Sequence, residues 1–186
     1  MKKTVFLTAF ALLAMLIVLS GCASPGGNGR GVNVFVTPGA VGIEKVAILP
    51  FRAATELIGA SVSDMFVTEL MKTGKYQLIE RGQLSGVLGE TEVSLSGLTS
   101  GQAAQLGQMA RANAVIIGTV SEYEMMALKG RSLPVVGINV RMIDSTTGRI
   151  LWSIDHAKRG SRGTMLAQQA RTVVNEMTMA LSRQLR

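Results

Sequence analysis

Ala114-Val-Ile-Ile-Gly-Thr-Val120 is apolar almost throughout, and such a run reads as a central strand buried on both faces. A strand of this kind belongs to a sheet packed by helices. Downstream, Val136, Ile138, Val140 and Met142 alternate with Gly137, Asn139 and Arg141, and Ile150, Trp152 and Ile154 alternate with Leu151 and Ser153. These are two strands of a hairpin, joined by Asp144-Ser-Thr-Thr-Gly148, whose side chain and glycine suit a four- or five-residue turn. Leu166, Ala170, Val173, Met177, Ala180 and Leu181 then form one stripe of a helix from about Thr164 to Gln184, with Arg183 and Arg186 at its negative end.

Upstream, Thr99 with Gln102 marks a helix start, and Ala103, Leu106, Met109 and Ala110 face inward until Asn113. Arg81 to Glu90 places Leu84, Val87 and Leu88 on one face of a short helix, and Tyr76-Gln-Leu-Ile79 alternates as a short strand. Ser61-Val-Ser-Asp64 resembles a capping box, starting a helix that stops at Gly74. Lys45-Val-Ala-Ile-Leu-Pro-Phe51 reads as a buried strand ended near Pro50, and Val32 to Val36 as a short edge strand or coil. The order is that of an α/β single domain with one mixed sheet packed by helices. The strand order is not readable.

The first 22 residues are of another kind. Lys2 and Lys3 precede an apolar run from Val5 to Leu19, too short for a comfortable transmembrane helix and ended by Leu19-Ser20-Gly21-Cys22. This matches a bacterial lipobox, in which the cysteine is acylated and becomes the new first residue. The expected division is a cleaved signal peptide over 1–21, lipidated Cys22 with a flexible tether over 22–44, and a periplasmic domain over 45–186. Ala23, where aspartate would resemble an inner-membrane retention signal, favours the periplasmic face of the outer membrane. Gly/Pro-rich coil from Ala23 to Gly31 is tether by composition.

The chain carries 19 Lys/Arg against 12 Asp/Glu. Without Lys2 and Lys3, 17 bases against 12 acids leave +5. From Lys129 onward ten bases face only Asp144, Asp155 and Glu176, whereas residues 22 to 128 carry seven bases and nine acids. An exported lipoprotein meets anionic headgroups and envelope proteins rather than nucleic acid, although a solvated charged surface explains the asymmetry as well. With Cys22 spent on lipid, no disulfide can form and the core must hold the fold.

Catalytic chemistry is sparse. His156 stands beside Asp155 at a strand end, with no nearby Ser, Cys or third ligand, and reads as an exposed strand end. Glu122 and Glu124 share a face of an extended segment and are the best pair for flanking a glycosidic bond, but Tyr123 points the other way and aromatics are few. The glycines of Gly26-Gly-Asn-Gly-Arg-Gly31 lack the Gly-Lys-Ser/Thr of a phosphate loop. Met125, Met126, Met165, Met177 and Met179 could make an adaptable binding surface, yet at helical spacing they read as core. No metal-ligand cluster and no cofactor motif is found, and no catalytic residue is assigned.

The ordered segments together resemble a family. Lys45-Val-Ala-Ile-Leu-Pro-Phe51, Met65-Phe-Val-Thr-Glu-Leu70, Tyr76-Gln-Leu-Ile-Glu-Arg-Gly-Gln-Leu84, Ala114 to Val120 and Val140-Arg-Met-Ile-Asp-Ser-Thr-Thr-Gly-Arg-Ile-Leu151 look like the curli production assembly/transport component family. The resemblance implies a periplasmic α/β domain on an outer-membrane lipoprotein, oligomeric in rings, that exports fibre subunits without catalysis. It does not carry over the pore. Channel-forming relatives insert two β-hairpins per subunit, and each membrane strand needs about 9 to 11 residues. Met125 to Val135, with Lys129, Arg131 and Pro134, cannot supply such a pair, and a basic turn and a helix follow His156.

The expected role is therefore a non-enzymatic lipoprotein acting through protein contacts in assembly or export of surface structures. Its expected partners are the membrane through Cys22, envelope or secretion proteins and further copies of itself, with no nucleic acid. The alternative is a tethered regulator of a periplasmic enzyme such as a peptidoglycan synthase. A coil of about 22 residues between Cys22 and Lys45 has an r.m.s. reach of roughly 25 Å, which favours an outer-membrane partner. A reduced channel completed by another protein's membrane strands is a third reading.

Overall fold

In the computed structural model, which describes residues 31–79, 84, 98–128 and 130–185, the chain passes through β1 (Asn33–Val36), a short 3-10 turn (Pro38–Ala40), β2 (Lys45–Ile48), α1 (Glu56–Met71), β3 (Gln77–Ile79), α2 (Ser100–Met109), β4 (Ala114–Leu128), β5 (Arg131–Asp144), β6 (Ile150–Arg159) and α3 (Leu166–Gln184). The strands make one sheet in the order β1-β6-β5-β4-β2-β3. β2 runs parallel to β3 and β4, and the remaining pairs are antiparallel. The sheet is mixed, as the order of elements predicts.

Alternation sends the side chains of β4 to two cores. Ala114, Ile116 and Val120 join Val140, Met142, Trp152 and Ile154 under α1 and α3, which contribute Val62, Phe66, Ala170, Val173, Met177 and Leu181. Val115 and Ile117 join Ala47, Leu49 and Ile143 under Ala103 and Ala104 of α2, with Leu84 beside them. Burial of each large aliphatic or aromatic side chain contributes about 1.5–3 kcal/mol, so these layers supply the cohesion that a chain without disulfides requires.

Two glycines let α1 and β4 close on Phe51. A Cβ on Gly59 would stand 1.8 Å from the Phe51 carbonyl oxygen, and one on Gly118 would stand 2.6 Å from the Phe51 ring. The ring is held in turn by Phe66, with centroids 5.6 Å apart and planes tilted by 59°.

Several boundaries differ from the sequence expectation. α1 begins at Glu56, with the Thr55 hydroxyl accepting from Ile58 N–H. The Ser61 signal therefore lies inside the helix, where Ser63 bonds back to the Ala60 carbonyl instead of capping. α2 has the expected capping box between Thr99 and Gln102, but it ends at Met109 rather than Asn113. The expected tether over 22–44 is interrupted by β1, which pairs with β6 from Asn33↔Asp155 to Val36↔Trp152. Of the expected helix over Arg81 to Glu90, only Leu84 lies within the described residues; it is helical and buried.

Candidate functional site

β4 and β5 continue well past the strands expected over 114–120 and 136–142. A bulge between Val120 and Glu122 shifts the register, and pairing then runs on to Leu128↔Arg131. β6 stops accompanying β5 at Val135↔Arg159. Met125–Leu128 and Arg131–Pro134 therefore stand beyond the sheet as a two-stranded tip. Proline is tolerated at 134 because β5 has just become an edge there. Four residues per strand at about 3.4 Å each carry the tip roughly 14 Å outward. That is well short of the 9 to 11 residues of a membrane-spanning strand.

The tip is apolar and exposed, with Met125 at 45%, Met126 at 40% and Leu128 at 37% exposure. Pro134 O accepts from Gly160 N–H at 2.8 Å, which places the loop 160–165 at the tip's base. That loop presents exposed Arg162 and Met165. Of the five methionines weighed in the sequence, Met177 is core, whereas Met125, Met126, Met165 and Met179 are exposed and correct the expectation of burial.

The lipobox residues Leu19, Ser20, Gly21 and Cys22 lie outside the described residues. The register nevertheless shows where the chain that follows them enters. Because β1 is antiparallel to β6, and β6 ends at the tip, the chain reaches Asn33 from the tip end of the sheet.

Glu122 pairs with Gly137 and Glu124 with Val135, so the two carboxylates share one face while Tyr123 turns to the other. Both are exposed among the described residues. Across the same face, Arg52, Thr119, Asn139 and Arg141 line a shallow cavity of about 270 Å³ with Leu49 and Ile117. Among the described residues, ion pairs join Glu69 to Lys72 and Glu176 to His156 and Lys158, so neither arginine is matched by a carboxylate there.

His156 is buried under α3 at 6% exposure, which corrects the reading of an exposed strand end. Its Nε2 lies 2.7 Å from Glu176 Oε2, and Lys158 Nζ donates to the other carboxylate oxygen. A carboxylate only accepts, so Nε2 of the imidazole carries a proton toward Glu176, while the buried Nδ1 has no partner among the described residues. Burial works against the Glu176 charge, but the hydrogen bonds from Lys158 and His156 outweigh it and hold the carboxyl below its ordinary value. The cluster clamps α3 to β6. Among the described residues no group of three His, Cys, Asp or Glu is placed to hold a metal ion. No described helix is long and apolar enough to cross a membrane.

The fold has solved counterparts. The PelC dodecamer from Paraburkholderia phytofirmans is 20% identical, with 84% of this chain and 97% of that one covered at a TM-score of 0.58. Lipoprotein GNA1162 from Neisseria meningitidis is 18% identical, with 72% and 96% covered at a TM-score of 0.53. No curated protein matches the chain. The family model described as curli production assembly/transport component CsgG matches residues 45–184, from the first residue of β2 to the last of α3. The chain thus belongs to the curli production assembly/transport component family, and among its described residues no hairpin projects far enough from the sheet to span a membrane.

Proposed function

We propose that this protein is a non-enzymatic lipoprotein of the outer membrane's periplasmic face, anchored through Cys22, that assembles with copies of itself and works by protein contacts in the assembly or export of surface structures. The observation that carries the reading is the match of residues 45–184 to an assembly/transport component, combined with a β4–β5 tip far too short to build a membrane barrel. The PelC likeness, a dodecamer, supports a ring of soluble-domain contacts. Arg52 and Arg141, unmatched by a carboxylate among the described residues, are suited to an acidic group on a partner.

The test is the mass, by light scattering, of the Cys22-to-Arg186 protein purified from membranes in mild detergent, beside a chain beginning at Ala23. One defined oligomer in both forms supports the assembly component. A monomer in both overturns it in favour of a tethered regulator of a periplasmic enzyme such as a peptidoglycan synthase.

A further inference from the structure

We infer that the β4–β5 tip and the loop 160–165 form a membrane-docking end that inserts shallowly into an anionic phospholipid surface. Three independent observations converge on this end. The first is apolar exposure: Met125, Met126, Leu128 and Met165 are 45%, 40%, 37% and 70% exposed. Four long apolar side chains gathered at one end are suited to a partner that is itself apolar beneath a polar skin.

The second is charge. By sequence, residues 125–134 and 160–165 contain Lys129, Arg131 and Arg162 and no acid, and Arg159 closes β6 between them. The nearest carboxylate in the hairpin belongs to Glu124, opposite Val135 at the level where the sheet proper begins. Acids thus stop where the tip starts. Cations within a Debye length of an anionic leaflet contribute about 1 kcal/mol each, while carboxylates at the same depth would oppose insertion.

The third is the direction of the tether. Asn33 is only eleven positions beyond Cys22, and the register of β1 on β6 brings the chain in from the tip end. A flexible coil of that length has an r.m.s. span of roughly 18 Å, comparable to the roughly 14 Å protrusion of the tip. A lipid on Cys22 would therefore hold this end, and not the Asp144–Ile150 turn, against the bilayer. An insertion of 5–10 Å reaches the acyl boundary without spanning it.

Only the tether argument rests on the lipidation reading, so the test uses the unlipidated chain beginning at Ala23. Its co-sedimentation is measured with phosphatidylcholine vesicles and with vesicles containing phosphatidylglycerol. The expected result is binding to the anionic vesicles, reduced about tenfold by Met126→Ser with Leu128→Ser and about fivefold by either Arg131→Gln or Arg162→Gln. Met179→Ser, an equally exposed methionine on α3 away from this end, leaves binding unchanged. The inference is overturned if the unlipidated chain ignores anionic vesicles, if the tip variant binds like wild type, or if Met179→Ser weakens binding as much. It is equally overturned if the tip variant's effect is loss of an oligomer, which would assign the surface to a second copy. Fatty-acid labelling of wild type against Cys22→Ala is read separately; unlabelled wild type with intact vesicle binding would remove the anchor and leave the docking end standing.

Discussion

Glu176 on α3 reaches His156 on β6 across 2.7 Å, and Gln169 Nε2 on α3 donates to Lys158 O on β6 at 3.1 Å, polar contacts between two elements that also meet through apolar side chains. Lys158 shares the same carboxylate, so one acid holds two bases of the sheet. The Glu176 carboxyl ionises more readily in the folded protein than in the unfolded chain, because the hydrogen bonds from Lys158 and His156 overcome the opposing effect of burial. Its contribution to stability is therefore fully present above the ordinary carboxyl value of 4.5 and is lost as pH falls through the depressed folded value. Glu176→Gln is expected to cost about 1 kcal/mol at pH 7, partial exposure of the pair damping the effect. Thermal unfolding of both proteins from pH 3 to 7 should show the gap between them closing below pH 4.5. A gap independent of pH would contradict the clamp.

Gly59 and Gly101 should respond in opposite directions to the same substitution. In Gly59→Ala the new methyl meets the Phe51 carbonyl at 1.8 Å, and backbone must move to admit it. A destabilisation of about 2–3 kcal/mol is expected from overpacking. At Gly101, near the start of α2, nothing lies within 4 Å, and Ala gains about 0.5 kcal/mol through lower backbone entropy in the unfolded chain. Urea midpoints of the two variants decide the matter.

Arg111 is the one non-glycine residue with positive φ, at 54°, among the described residues. It follows the C-cap of α2 in a Schellman arrangement, with Arg111 N–H donating to Gln108 O and Ala112 N–H to Gly107 O. Glycine is the usual occupant of that position because its missing Cβ removes the left-handed penalty. Arg111→Gly should raise stability by about 0.5–1 kcal/mol, net of the greater unfolded-state entropy of glycine. A lower melting temperature would show that the arginine makes a compensating contact.

Much of this fold was legible wherever one periodicity ran unbroken. Val136, Ile138, Val140 and Met142 keep strict alternation because β5 faces the same core throughout, and the Thr99–Gln102 capping box is a local reciprocal pair that needs nothing distant. Legibility failed where the determining partner lay elsewhere. The bulge after Val120 breaks the phase of β4 just as two glutamates arrive, and Pro134 resembles a strand breaker, so no alternation carries the strands into the tip. Thr55 and Ser61 both offer helix starts, and tertiary packing of Gly59 on Phe51 selects the earlier one. His156 seemed exposed because Glu176 lies twenty residues further along in another element. The candidate docking end was visible only as scattered methionines; the pairing of β1, β5 and β6 is what gathers it with the incoming tether.

Among the described residues no hairpin projects far enough from the sheet to span a membrane, so the protein alone is expected to form no pore, and conductance tests that directly. Each strand of the tip has four residues beyond the level of β6, whereas a barrel strand needs about 9 to 11 to cross the hydrocarbon core. After β6 the described chain turns through 160–165 into α3, where Ala170, Val173, Val174 and Met177 are fully buried and committed to the core. Drawing α3 out to make a second hairpin would expose that face and cost about 1.5–3 kcal/mol for each of its larger apolar side chains. The purified protein, added to planar bilayers at concentrations where it binds them, is expected to give no stepwise conductance, and Met126→Ser with Leu128→Ser should not change that. Discrete channel openings from the protein alone would require a rearrangement of β4, β5 and α3 that the register does not contain.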